Sequence, residues 1–253
     1  MKLLLDLGNT RLKWAVRDGA QWGEQGAVAW NDDVVLALHE AWRHLPTPEA
    51  GVYGASVVDG AREAQIAAVV CTRFSHPTTW LRTPAEACGV HNAYPEPGRL
   101  GVDRFLGMVA ARAEGLAPCV LAGVGTALTL DALDADGRHL GGLIAPGPQL
   151  MQHSLLGATA RVIVDRPGQV FEAADNTPDA VASGCWHAAA ALVERFVAHM
   201  TGPLGGMPQL ILGGGDAASL APLIAIPSRL SQDSVLRGLS VWSDAHTPVE
   251  QSL

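Results

Sequence analysis

No apolar stretch in this chain of 253 residues reaches the roughly 20 residues that a membrane-spanning helix needs, so no bilayer span is expected. The run Leu3-Leu4-Leu5 follows a single Lys and ends at Asp6, which is too short for a secretory signal. Positive charge is scarce: 17 Lys and Arg stand against 25 Asp and Glu, giving a net charge of −8, and no cluster of five or more basic residues occurs. Nucleic acid and membrane surfaces are therefore not expected partners. Cysteine is limited to Cys71, Cys88, Cys119 and Cys185, widely spaced and without a C-x-x-C, which argues against a zinc centre and a disulfide framework. Each is expected to be buried as a small apolar side chain, in a protein of the reducing cytoplasm. The G-x-G-x-x-G pattern is also missing, which excludes a Rossmann dinucleotide fold. His39, His44, His139, His187 and His199 are scattered over helical patterns and read as surface or satisfied core residues rather than metal ligands.

What is present is a globular composition, with 48% apolar and only 17% charged residues, enough for one large or two medium domains. The organising stretch is MKLLLDLGNTRLKW. Leu3, Leu4 and Leu5 read as a buried central strand, Asp6-Leu7-Gly8-Asn9-Thr10 as a turn, and Leu12, Trp14 and Val16 as a returning strand. The tip of such a hairpin suits phosphate. Gly8 admits positive φ and close backbone approach, Asn9 and Thr10 donate hydrogen bonds, Lys13 adds charge, and Asp6 can hold Mg²⁺ through water.

A third strand over residues 21–30 and a helix capped by Asn31 or Asp32 follow, then a strand over 52–57, a helix over 61–74 capped by Asp59, and a strand over 77–81. Residues 83–98 form a breaker-rich loop, and a helix begins near Asp103. Asp103 suits a helix cap as well as a catalytic carboxylate, whereas Arg104 opposes the helix dipole in the first turn. From Ala117 the pattern returns: strand at 119–122, glycine turn at Gly123-Val124-Gly125-Thr126, strand at 127–133, turn at Asp136-Gly137, strand at 139–145, and a helix from Pro146-Gly147-Pro148. An Ala-rich helix over 179–200 is capped by Asn176 or Thr177, and Gly184 within it implies close packing. Leu210-Ile211-Leu212 is a last strand before Gly213-Gly214-Gly215-Asp216, which reads either as a platform for a flat ligand or as a plain turn. The expected organisation is a duplicated α/β chain with domains at 1–115 and 116–253, each a mixed five-stranded sheet flanked by helices.

Paired glycine turns in duplicated halves resemble the actin-like, acetate and sugar kinase-type ATPase fold, in which each turn holds one end of the triphosphate. More specifically, Asp6-Leu7-Gly8-Asn9-Thr10, Tyr94 before Leu100-Gly101-Val102-Asp103-Arg104, Gly125-Thr126-Ala127, Asn176-Thr177 with Gly184, and Gly213-Gly214-Gly215-Asp216 are similar in order and spacing to type III pantothenate kinases, a family that includes Bvg accessory factor-like proteins. The resemblance implies ATP-dependent phosphorylation of the 4′-hydroxyl of pantothenate, the first step towards coenzyme A, by a cytoplasmic homodimer. By that resemblance Asp6, Leu7, Gly8, Asn9, Thr10, Arg11, Leu12 and Lys13 form the first phosphate loop, with Asp6 serving Mg²⁺ or another divalent cation, and Gly125 and Thr126 form the second. Asp103 is the implied catalytic acceptor, and Tyr94, Gly101, Val102 and Arg104 complete the pantothenate pocket with Thr177 from the partner subunit. The alternatives are a kinase of the same fold for another small hydroxy acid or sugar, and a nucleotide-binding regulator of that fold without turnover. One departure stands out: the family places an aspartate for a monovalent cation where this chain has Gly123, so dependence on K⁺ is not expected.

Overall fold

Leu3, Leu4, Leu5 and Leu7 are each at most 1% exposed, so the first strand is covered on both faces, as a central strand is. In a computed structural model, which describes residues 1–30, 33–159, 162 and 164–246, that strand is β1 (Lys2–Leu7). It is followed by β2 (Arg11–Asp18), β3 (Gln21–Ala29), α1 (Val34–Ala41), β4 (Val52–Ser56), α2 (Gly60–Phe74) and β5 (Thr78–Trp80). The expected cap of α1 at Asn31 or Asp32 lies outside the described residues. A small hairpin of β6 (Glu86–Ala87) and β7 (Val90–His91) leads to α3 (Val102–Ala113). The chain continues through β8 (Cys119–Val124), β9 (Ala127–Leu133), β10 (His139–Pro146), α4 (Pro148–Ala158), α5 (Thr177–Met200), β11 (Gln209–Gly213), α6 (Ala217–Leu220), β12 (Ser228–Leu230) and α7 (Ser234–His246).

Two five-stranded mixed sheets result, ordered β3-β2-β1-β4-β5 and β10-β9-β8-β11-β12. In each, the first three strands pair antiparallel and the last two join in parallel. The same order in the same sense, built twice, is the duplication expected from the repeated glycine turns. The residues fall into two compact units, Met1–Gly115 with α7, and Leu116–Asp233. The sequence repeat predicts that residues 116–253 belong together in the second domain. Helix α7 instead packs on α3, β1, β2 and β4 of the first unit. A β-carbon on Gly238 of α7 would lie 2.0 Å from the Leu106 carbonyl oxygen, so the bare glycine lets the two helices touch backbone to backbone. Arg237 Nη1 donates to Glu114 Oε1 at 2.7 Å beside that contact.

The pleat sorts side chains to the two faces of the first sheet. Leu3, Leu5, Leu7, Leu12, Trp14 and Val16 share a core with Leu38 and Trp42, and with Ile66 and Val70 of α2. Leu4, Ala15, Tyr53 and Ala55 share another with Val102 and Leu106 of α3 and Leu239 and Trp242 of α7. In the second unit Val120, Ala122, Val124, Leu128, Leu130, Leu210 and Leu212 face Ala189, Val193 and Val197 of α5. Asp59 caps α2 by accepting the Ala61 and Arg62 N–H groups at 3.0 Å.

Two expectations fail here. Gly184 is exposed and a β-carbon on it would meet nothing within 4 Å, so close packing inside its own unit does not explain it. Of the four cysteines only Cys119 is buried; Cys71 is exposed and Cys88 and Cys185 are half-buried. All four are free thiols. No helix among the described residues is long and apolar enough to cross a membrane.

Candidate active site

In the first unit, Asp6 lies within β1 rather than ending it, opposite Lys13 of β2. Strand alternation puts Asp6 on the same face as Leu4, and its directly opposed partner Lys13 shares that face. This is the face on which α3 packs. Leu7 and Leu12 are fully buried in the core on the other face, so of the proposed phosphate loop these two have only backbone groups to offer a ligand. Asn9, Thr10 and Arg11 are exposed at the tip.

Gly8 does not use the positive φ that its sequence context admits. A β-carbon there would meet only the Arg11 carbonyl oxygen, at an ordinary 3.4 Å. The counterpart in the second unit, Gly125, also lacks a positive φ, and its β-carbon would meet nothing within 4 Å. Neither turn glycine is required by its own chain.

Asp103 occupies the second position of α3, whose N-cap is Gly101. The capping role considered for it is therefore not the one it plays. Its Oδ1 accepts the Arg104 N–H at 2.8 Å, and an acid in this first turn faces the positive end of the helix dipole. Arg104 resolves the conflict of a cation in the same turn by folding inward. It is 7% exposed, donates from Nη1 to the Tyr94 hydroxyl at 3.1 Å, and sets its guanidinium 5.9 Å from the Tyr94 ring centre. Tyr94, Gly101, Val102, Asp103 and Arg104 are thus one cluster.

The loop that carries Tyr94 is organised by Asn92, which the sequence did not single out. Its Nδ2 donates to the Pro84 and Pro97 carbonyls at 3.3 and 3.1 Å, and its Oδ1 accepts the Tyr94 N–H at 2.9 Å. Thr83 ties the loop's two ends by donating to the Leu100 carbonyl at 2.8 Å.

In the second unit Thr126 is exposed on the turn between β8 and β9. Two glycines from elsewhere in that unit press on this turn. A β-carbon on Gly147 would lie 1.9 Å from the Gly125 carbonyl oxygen, and one on Gly214 would lie 2.2 Å from that of Val124. Gly214, with φ +95°, thus has a packing role at the end of β11. Gly123 is the topological counterpart of Asp6, one residue before the end of the matching strand. It pairs with Thr129, whose Oγ1 would be 2.6 Å from a β-carbon on Gly123. Further along β9, Asp131 Oδ1 meets His139 Nε2 at 2.9 Å, both buried.

Thr177 is exposed at the head of α5, behind the N-cap Asn176, whose side chain accepts the Asp179 N–H at 3.1 Å. Arg166 grips Asp179 with both terminal nitrogens, at 2.8 and 2.9 Å, and the Gln169 N–H adds a third bond at 2.8 Å. These donors, Arg166 foremost, hold the Asp179 carboxyl well below the usual carboxylate range. Ser183, one turn on, accepts the Phe171 N–H at 3.0 Å, so the segment after Arg166 is strapped along the helix. Beside Thr177 a groove of about 580 Å³ is lined by Leu155, Val181, Gly184 and Cys185. No cluster of three or more potential metal ligands occurs among the described residues.

The chain has relatives among known proteins. The family model for type III pantothenate kinase matches residues 2–199. A type III pantothenate kinase of Laribacter hongkongensis is 43% identical over 241 residues, covering 95% of this chain and 97% of its own. One of Xanthomonas campestris pv. campestris is 40% identical over 240 residues, with 95% and 96% covered. Among solved structures, a protein of Sinorhizobium meliloti described as a 2-dehydro-3-deoxygalactonokinase superimposes with a TM-score of 0.63 at 12% identity, covering 98% of this chain and all of that one. That likeness places the duplicated sheets in the actin-like and sugar kinase fold, and the sequence matches place the chain in the type III pantothenate kinase family.

Proposed function

We propose that this protein phosphorylates pantothenate on its 4′-hydroxyl at the expense of ATP, the first step of coenzyme A synthesis. The observation that carries the proposal beyond family membership is the pair of turn glycines, Gly8 and Gly125, that neither unit needs for its own packing. A β-carbon at either position would obstruct only something outside the chain, and close approach of phosphate oxygens to backbone N–H groups is the chemistry such turns serve.

In this reading Asp6 to Lys13 and Gly125-Thr126 bind the phosphates, through side chains at Asn9, Thr10, Lys13 and Thr126 and through backbone at Leu7 and Leu12. Asp6 and Lys13 lie opposite each other in the ladder, a carboxylate for a hydrated cation beside a point charge for phosphate. A divalent cation held through water by Asp6 would neutralise charge on the phosphates. Asp103 accepts a hydrogen bond from the primary hydroxyl of pantothenate and takes its proton late in the attack on the γ-phosphorus. An alcohol is not acidic in its ground state, so alignment and charge neutralisation supply more rate than proton removal does. Arg104, fixed by Tyr94, offers a cation to the substrate's carboxylate.

A cytoplasmic homodimer that contributes Thr177 across its interface belongs to the same proposal. It is supported by the exposed positions of Thr177 and Gly184 on α5 and by the groove beside them. ADP release with ATP, Mg²⁺ and pantothenate, run beside Asp103→Ala, tests the reading. Turnover that requires pantothenate and collapses in the variant is expected. ATP binding without turnover in the wild type would instead indicate a nucleotide-binding regulator.

A further inference from the structure

The register of β2 on β3 sets Arg11 opposite Ala29, which brings Trp30, the next residue, alongside the Gly8-Asn9-Thr10 turn. Trp30 reaches both ends of that turn. Its indole Nε1–H donates to the Gly8 carbonyl at 2.7 Å, and its backbone N–H donates to the Thr10 carbonyl at 3.4 Å. Because a trans peptide is planar, a Gly8 carbonyl turned towards Trp30 turns the Asn9 N–H to the opposite side. The indole is itself braced. The Arg62 guanidinium lies 5.4 Å from its ring centre, and Arg62 sits in the first turn of α2, which Asp59 caps. Trp30 leaves the end of an exposed edge strand half-buried, with its ring packed against the core of the first unit and its Nε1–H free to reach the turn.

We propose that Trp30 is a positioning residue for the nucleotide: by holding the Gly8 carbonyl it aims the Asn9 N–H at the bound phosphate. The proposal rests on the reading of Asp6 to Lys13 as a phosphate loop. A turn with a freely rotating Gly8–Asn9 peptide would have to order that unit on each binding event. One fixed in advance by an indole does not.

Trp30→Phe keeps an aromatic ring under Arg62 and against the core while it removes the N–H donor and part of the ring's bulk. Its KM for ATP should rise about five- to tenfold, as loss of one ordered hydrogen bond predicts, while the KM for pantothenate and the melting temperature stay close to wild type. Arg62→Ala, which leaves the donor and frees the ring, should shift the KM for ATP in the same direction by less. Thr10→Ala, within the loop, reports on the underlying reading and should also raise the KM for ATP. If Thr10→Ala raises it and neither Trp30→Phe nor Arg62→Ala does, the role of Trp30 is wrong and the phosphate loop stands. If none of the three affects it, the loop reading fails and takes the proposal with it. Equal changes in both KM values together with a lowered melting temperature would reduce Trp30 to a structural residue and overturn the proposal.

Discussion

A β-carbon on Gly101 would stand 2.6 Å from Oδ1 of Asp103, the same oxygen that accepts the Arg104 N–H at 2.8 Å. Gly101 has φ −52° and ψ 131°, a conformation open to any residue, so what its missing side chain protects is the placement of the carboxylate. Gly101→Ala should therefore fold as well as the parent, since Ala also loses less chain entropy on folding. Its kcat should fall about 10- to 100-fold through a displaced acceptor. Steady-state kinetics beside a thermal melt check both halves of this expectation.

Gly123 and Thr129 make a second pair of the same kind, at the position where the family resemblance implies an aspartate for a monovalent cation. The Thr129 hydroxyl fills the space where a side chain at position 123 would begin. Replacing K⁺ by a large organic cation should leave the rate unchanged. Gly123→Asp alone should not create K⁺ stimulation, because its β-carbon would collide with Thr129. Rates measured in matched potassium and tetramethylammonium buffers, for the wild type and for Gly123→Asp with and without Thr129→Ala, decide this.

The strap on α5 has a predictable pH signature. Asp179 is held below its ordinary value by Arg166, so its contribution is fully present above the unfolded pKa of about 3.9 and is lost as pH falls through the folded value. The difference in stability between wild type and Asp179→Asn should be constant from pH 8 down to about 5 and shrink only below about 4. Denaturant titrations across that range measure it.

Thiol chemistry separates the cysteines. Burial pushes the Cys119 thiol up to about 12 and also raises those of Cys88 and Cys185, whereas Cys71 is exposed on α2. Brief treatment of the native protein with iodoacetamide at neutral pH should modify Cys71 first and Cys119 only after unfolding. Peptide mass spectrometry reads the order.

The duplication was legible because its signals are local: an apolar run, a glycine turn and a returning strand occur at Leu3 to Val16 and again from Cys119, and each register follows from its own turn. The cluster around Asp103 was legible as a motif, since Tyr94 and residues 100–104 lie close in sequence. What escaped is non-local. The amphipathic pattern of α7 announces a buried face without saying which sheet receives it, so its place on the first unit beside Leu106 had to come from the fold. A glycine inside a helical pattern points to close packing, and the open surface around Gly184 removes that reason. Asn92 and Trp30 act through carbonyls 5 to 22 residues away in the chain, and no spacing rule connects an amide or an indole to such partners.

The identity of the product tests the central claim most directly. Phosphorus NMR of a reaction with ATP and pantothenate should show a new phosphate monoester coupled to the two protons of a CH₂ group, the mark of the primary 4′-hydroxyl, and Asp103→Asn should abolish it. An ester coupled to a single proton would place the phosphate on the secondary hydroxyl, and ATP consumption with no new ester would mean transfer to water. Either result would contradict the account.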